Sequence, residues 1–351
     1  MSRSMPVILL ICALLMPGVT CPAQTFDDMV TGTIRDKLGE TPVPIELHMD
    51  GCRVSSLSVM PELYARRDYR PIWVDEGTIE HLCFAIEETY HEGLDPDDYH
   101  LGDIRRLQGL AHRESAPDPR LAAYLDMLLT DAFVRLIYHS FCGKEDPFAH
   151  HPQWNLARKI DDTEPVVFIE NAIASSSIAE TISAVKIRHP YYESLKKALA
   201  EYRALRASGG WETVPEGQPL KKGMIDPRVA SVRRRLVMTE RLPDAAVDPM
   251  TFDGALEQAV IGFQRRHGLK PDGVVGKGTL LALNVPVGDR IDQIRVNLER
   301  ARWMLHDLEE RFVLVDIAGF RVFYSRDSKV IWSSRAQVGQ PYRDTPVFRS
   351  S

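Results

Sequence analysis

Asp253-Gly-Ala-Leu-Glu-Gln-Ala-Val-Ile-Gly-Phe-Gln-Arg-Arg-His-Gly268 is the stretch from which the fold is read. Leu256, Ala259, Val260 and Phe263 fall on one helical face. Gly268 supplies the left-handed residue that ends such a helix, and Leu269 can then fold back onto the face just made. Pro271-Asp-Gly273 makes a turn, Val275-Gly276 crosses under it, and Thr279-Leu-Leu-Ala-Leu283 starts a second short helix. The block is a small helical unit with its own apolar face, expected over residues 250–286.

Upstream, residues 45–247 read as mainly helical. Leu121, Leu125, Leu128, Ala132 and Leu136 recur at three- and four-residue steps, which predicts a helix with a buried stripe. Gly93-Leu-Asp-Pro-Asp-Asp-Tyr-His100 stops one helix and starts another, with Asp97 and Asp98 read as capping residues rather than an acid/base pair. Ala207 to Gly223 reads as a long loop. Arg233-Arg-Arg235 is most simply a solvated helix face, not a nucleic-acid patch.

Downstream, Ile291, Ile294, Leu298, Ala301, Leu305 and Leu308 mark an amphipathic connecting helix over 289–310, with Asp289 placed to cap it. Alternation then takes over in Phe312–Ile317, Phe320–Tyr324 and Lys329–Trp332, which predicts three strands. Three strands with an apolar face and open edges do not stand alone, so residues 311–351 are expected to be an incomplete β-rich domain. The fold class is therefore mainly α, ending in that incomplete sheet.

Hydrophobic residues at 44% and charged residues at 26% describe an ordinary globular chain, and 351 residues leave room for two or three cores. The net charge of -6 excludes the basic footprint of a nucleic-acid binder. Arg3 followed by the apolar run Val7–Met16 and small residues to Ala23 reads as a secretory signal over 1–23, too short to span a bilayer. Its removal takes Cys12 and Cys21 and leaves Cys52, Cys83 and Cys142. An exported chain permits a Cys52–Cys83 bridge, although spacing alone does not establish one. His139 lies three residues before Cys142, yet no Gly-Cys loop surrounds that cysteine, and a buried, inert thiol is the plainer reading. His150-His151 has no companion ligands at metal-binding spacing, and no cofactor motif is present.

The 253–283 block resembles the small three-helix peptidoglycan-binding domain, whose signature is a helix with Phe-Gln, a Gly-Leu stop, Asp-Gly-x-x-Gly and a Thr-led helix. The resemblance implies peptidoglycan as a partner and Gln264, Arg265, Asp272 and Lys277 as its candidate binding residues. With Gly93-Leu-Asp-Pro, Leu128-Leu-Thr-Asp131, Asn297-Leu-Glu-Arg-Ala-Arg-Trp303 and Val338-Gly-Gln-Pro-Tyr-Arg-Asp-Thr-Pro346 added, the chain as a whole resembles the large periplasmic L,D-transpeptidases of Gram-negative bacteria. That resemblance implies a helical scaffold domain over 45–247, a periplasmic location and other cell-wall synthesis proteins as further candidate partners. It also implies a β-rich catalytic domain whose Ser/His-x-Gly-Cys-x-Arg cysteine forms an acyl-enzyme with a peptidoglycan stem peptide. That motif is not among these residues, so the expectation is the N-terminal portion of such an enzyme, C-terminally truncated and inactive alone. The alternative is a non-catalytic periplasmic peptidoglycan-binding or scaffold protein.

Overall fold

Twenty-four residues, Pro119–Cys142, make the longest helix, and its second half is buried on nearly every side. In this computed structural model, residues 25–40, 46–113, 117–150, 165–174, 178–240, 242, 248–306 and 308–339 are described. The expected signal at 1–23 and the Val338–Pro346 stretch beyond Gly339 lie outside them. The first elements are α1 (Phe26–Leu38), β1 (Leu47–Met49), β2 (Cys52–Val54), α2 (Met60–Ala65), α3 (Glu76–Glu88), α4 (Leu101–Arg113) and the long α5 (Pro119–Cys142). There follow α6 (Pro147–His150), α7 (Pro165–Ala174), α8 (Ile178–Val185) and α9 (Pro190–Ala207). The chain continues through α10 (Pro227–Val237), α11 (Gly254–Arg266), α12 (Lys277–Leu283) and α13 (Val287–Met304), and then β3 (Arg311–Asp316), β4 (Arg321–Arg326) and β5 (Lys329–Arg335). Mainly helical with a small antiparallel sheet at the end, this is the fold class expected.

The largest core gathers α1–α4, α7, α8 and the β1–β2 hairpin around α5. Leu128, Ala132 and Leu136, from the recognised stripe, are fully buried, but so are Met127, Leu129 and Phe133 on other faces. Asp126, Thr130 and Asp131 of α5 are among the polar side chains that share that interior. Asp126 accepts hydrogen bonds from Tyr64 Oη at 2.5 Å and from the Ile72 and Trp73 amides, both at 2.8 Å. Thr130 Oγ1 lies 2.8 Å from the same Tyr64 hydroxyl and accepts from Trp73 Nε1 at 2.9 Å. Asp131 accepts from the Ser55 and Ser56 amides at 2.9 and 2.7 Å and sits 2.8 Å from His100 Nε2. Two carboxylates five residues apart on one helix thus hold two non-helical segments by backbone amides that would otherwise lack partners, and a third by the His100 ring.

The two carboxyls titrate in opposite senses. Burial pushes Asp126 up to about 6 against its three hydrogen bonds. Burial also acts to raise Asp131, but His100 and the Ser56 donors outweigh it and hold that carboxyl below its ordinary value.

A second core joins α10, α11 and α12 with Val214, Leu220 and Val275, and a third joins α9 to α13. Residues of α10 expected with the helical domain up to 247 therefore pack with the small unit. The Arg233–Arg235 run corrects a second expectation. Arg234 is exposed, but Arg233 and Arg235 are 5% and 2% exposed. Arg235 stacks 3.6 Å from the Trp211 ring centroid and donates to Leu283 O at 3.1 Å, while Arg233 pairs with Asp253 at 2.8 Å. The loop after α9 folds back over the helix and covers what a helical wheel leaves open. Asp289 is not a cap either: α13 begins at Val287 after Pro286, with Asp289 inside its first turn. In the Gly93–His100 stretch the cap is Asp95, which accepts from the Asp97 amide, and Asp98 pairs with Lys144. Cys52, Cys83 and Cys142 are all buried free thiols, so the permitted Cys52–Cys83 bridge is not made.

The terminal strands pair in the order β3-β4-β5, with Val313 opposite Tyr324 and Tyr324 opposite Trp332. Val313, Leu314 and Val315, consecutive and so on both faces, are 62%, 40% and 47% exposed, and Val330, Ile331 and Trp332 are more than half exposed. Among the described residues these apolar side chains are left open on both faces, although Phe312 meets the His189 ring edge-on at 6.2 Å and Ser325 is buried.

The Asp126 proton gives a test. A carboxyl whose folded value is raised contributes stability that is fully present below the ordinary 3.8 and is lost as the pH rises through about 6. Asp126→Asn should remove that window: in urea titrations, the wild-type midpoint should fall relative to the variant between about pH 4 and pH 7. Asp126→Ala should instead cost about 1–3 kcal/mol for each buried donor left bare.

Candidate functional site

The small unit is built on α11. Asp253 caps it by accepting from the Leu256 amide at 2.8 Å, and Leu256, Val260 and Phe263 are fully buried beneath. Gly268 ends it at φ 67°, in the left-handed region that the Gly-Leu pair implies.

Of the four candidate binding residues, Gln264 is 1% exposed. Its Nε2 lies 3.0 Å from Asp272 Oδ1, Val274 O and Thr279 Oγ1, and its Oε1 accepts from the Gly273 amide at 2.9 Å. One side chain thus pins the turn between α11 and α12. Gly273 in that turn sits at φ 72°, and a Cβ there would come within 3.0 Å of Glu257 Cγ, so only glycine fits. Asp272 accepts from the Val274 amide at 3.0 Å as well as from Gln264, and these two bonds hold its carboxyl below the ordinary range. The Asp272 side chain is partly exposed all the same, and its other oxygen is 3.7 Å from Lys270 Nζ.

Arg265 and Lys277 are exposed, on the last turn of α11 and the first of α12. The fold thus separates the four by kind. Gln264 and Asp272 shape the turn, and Arg265 and Lys277 present cations beside it. What this surface can do chemically is bind: a hydrogen-bonded turn flanked by exposed ammonium and guanidinium groups suits carboxylate- and hydroxyl-bearing polymers. His267 adds no charge to it. The ring stacks on Phe263 with centroids 3.9 Å apart, and burial pushes its pKa down to about 4.

His139, the helical neighbour of Cys142, turns its Nδ1 to the Tyr99 hydroxyl at 3.1 Å, and burial drives the imidazole down to about 4. Cys52 and Cys83 are raised to about 12 and about 11, chiefly by burial, and neither is poised as a thiolate.

The sequence motifs outside the small unit meet at a joint that sequence alone did not assemble. Arg302 of α13, 1% exposed, donates to Glu92 O at 2.6 Å and pairs with Glu299 at 2.9 Å. The Glu92 carboxylate in turn takes Lys186 at 2.8 Å and the Tyr192 hydroxyl at 3.1 Å. Arg295 donates to Gly93 O at 2.9 Å. Gly143, which ends α5, lies so near α13 that an added Cβ would be 2.5 Å from Glu299 Oε1 and from Trp303 Nε1. The Gly93-Leu-Asp-Pro stretch and the Asn297–Trp303 stretch are two halves of one contact.

Residues 58–199 match the family model of a scaffold domain, and residues 226–283 match that of a peptidoglycan binding domain. General secretion pathway protein A of Aeromonas hydrophila is 42% identical over 50 residues, or 14% of this chain. The chain spans 9% of that relative's length. The second match begins at the cap of α10, in accord with the core that α10 shares with α11 and α12. A scaffold domain followed by a peptidoglycan-binding domain is an L,D-transpeptidase-like architecture, and it supports peptidoglycan as a partner.

If Gln264 shapes the turn and the cations face the ligand, the variants separate. Gln264→Ala leaves the buried Gly273 amide bare and should cost about 1–3 kcal/mol, read as a lower melting temperature. Arg265→Ala and Lys277→Ala should change stability by no more than about 0.5 kcal/mol. The same two should weaken retention on purified cell-wall sacculi.

Proposed function

We propose that this chain is the scaffold, peptidoglycan-binding portion and opening strands of a periplasmic L,D-transpeptidase, exported by the signal at 1–23. In that reading the small unit holds the cell wall through Arg265 and Lys277, with Gln264 and Asp272 fixing the turn between them. The complete enzyme cross-links stem peptides through a cysteine acyl-enzyme. The observation that carries the reading is the order of three parts: the scaffold-domain match, the peptidoglycan-binding match, and a β3-β4-β5 sheet with apolar residues exposed on both faces. Such a sheet gains roughly 1.5–3 kcal/mol for each large apolar side chain that further strands bury.

A second reading rests on the cysteines. All three beyond the signal are buried, and none lies in a Ser/His-x-Gly-Cys-x-Arg sequence. The 351 residues then serve as a non-catalytic cell-wall binding or scaffold protein, acting with other cell-wall synthesis proteins. The readings part on the size of the cellular product. An antibody raised to residues 226–283 should detect a species longer than 351 residues under the first reading and none longer under the second.

Both readings require that the purified chain co-sediment with sacculi. Neither allows it to be acylated by a carbapenem. Intact-mass spectrometry should show no adduct; an adduct abolished by Cys142→Ala would place the nucleophile in this chain and overturn both.

A further inference from the structure

Far from the small unit, three side chains with metal-ligating atoms converge where the β1–β2 hairpin meets the start of α4. Cys52 opens β2, His100 follows the short helical turn Pro96–Tyr99, and Asp103 lies in the first turn of α4. One ligand atom from each lies within 4.8 Å of the others. From this geometry we propose that Cys52, His100 and Asp103 form a binding site for a divalent cation of the zinc type, with the fourth position left to water or an incoming ligand.

The donor set fits that ion. Thiolate, imidazole and carboxylate together are the ligands of Zn²⁺, whereas Mg²⁺ and Ca²⁺ select oxygen alone. The support behind the imidazole is of the kind metal sites use. His100 Nε2 is committed to Asp131 at 2.8 Å, which leaves Nδ1 to ligate and raises its basicity. Asp131 is fully buried, and its other oxygen holds the Ser55 and Ser56 amides just beyond β2. One carboxylate therefore fixes both His100 and the far end of the three-residue strand that Cys52 opens. His100 itself sits at φ 57°, so the backbone accepts a left-handed turn to place that ring.

The Cys52 thiol gives its proton to a hydrogen bond with the Asp103 carboxylate. A bound cation takes the place of that proton. The S–H bond breaks, the proton leaves to solvent, and the sulfur electron pair forms the bond to the metal, so affinity rises with pH. Ligand atoms of a tetrahedral zinc site lie about 3.3–3.7 Å apart, so the three must close by roughly an ångström. Asp103 is the member free to move, being partly exposed. Arg106 competes for it at 3.2 Å but is also held by Asp50 at 2.6 Å, where it can remain. No spacing in the sequence foretold this group, because its members come from a strand, a turn and a helix.

The test uses the full chain, stripped with chelator and titrated with Co²⁺ alone as the probe. One Co²⁺ per chain should bind with a thiolate-to-cobalt charge-transfer band in the near ultraviolet, and Zn²⁺ should abolish the band by displacement. Cys52→Ser should lose the band, and His100→Asn, which keeps a residue suited to the left-handed turn, should weaken binding at least 10-fold. Asp103→Asn, at the exposed edge, provides a variant that spares the core and should also weaken binding. A folded wild type with no band overturns the site, as does a band that persists in Cys52→Ser.

Discussion

The structure depends on charge buried in the middle of a helix. Asp126 and Asp131 lie within the most apolar part of α5, where an unpaired carboxylate would cost several kcal/mol. Each is instead surrounded by donors that the helix does not own: a tyrosine hydroxyl and the amides of Ile72 and Trp73 for one, the amides of Ser55 and Ser56 and an imidazole for the other. The segments after α2 and β2 have no ladder of their own to satisfy these groups. The carboxylates replace secondary structure as their partner, and the fold around α5 is set by where those donors must go.

The same logic recurs where α13 meets the scaffold domain. Glu92 and Arg302, both almost wholly inaccessible, satisfy one another's surroundings through Lys186, Tyr192, Glu299 and a backbone carbonyl. Directional bonds of this kind fix register, whereas the apolar contacts of Leu298 and Ala301 with α9 would tolerate a slip. Position matters here because α13 leads from the peptidoglycan-binding unit to the terminal sheet. Its docking decides how the turn between α11 and α12 is held relative to the terminal sheet.

Much of this was legible in the residues. The 253–283 block declared its helices, its glycine stop and its turn, because each depends on neighbours close in sequence. The stripe of Leu128, Ala132 and Leu136 marked α5 as well. Periodicity registers one face, however, and α5 is buried on several, so Asp126 passed without notice, and Thr130 and Asp131 entered only as part of a family motif with no structural role attached. The Arg233–Arg235 run misled for a related reason: a helical wheel assigns arginine to solvent, and only the return of Trp211 over the helix shows that Arg235 is covered. Cys52, His100 and Asp103 gave no signal at all, since 48 positions separate the first from the second. The motif placed Gln264 at the turn but not its structural part, which is to hold the Gly273 amide and the start of α12 from within the core.

Amide hydrogen exchange tests the central claim most directly. If the α5 carboxylates hold the neighbouring segments, the Ser56, Ile72 and Trp73 amides should exchange at neutral pH only through global unfolding, as slowly as the core of α5 itself. Rapid exchange at those three amides, with α5 still protected, would show that the segments open on their own and that the carboxylates do not hold the fold together.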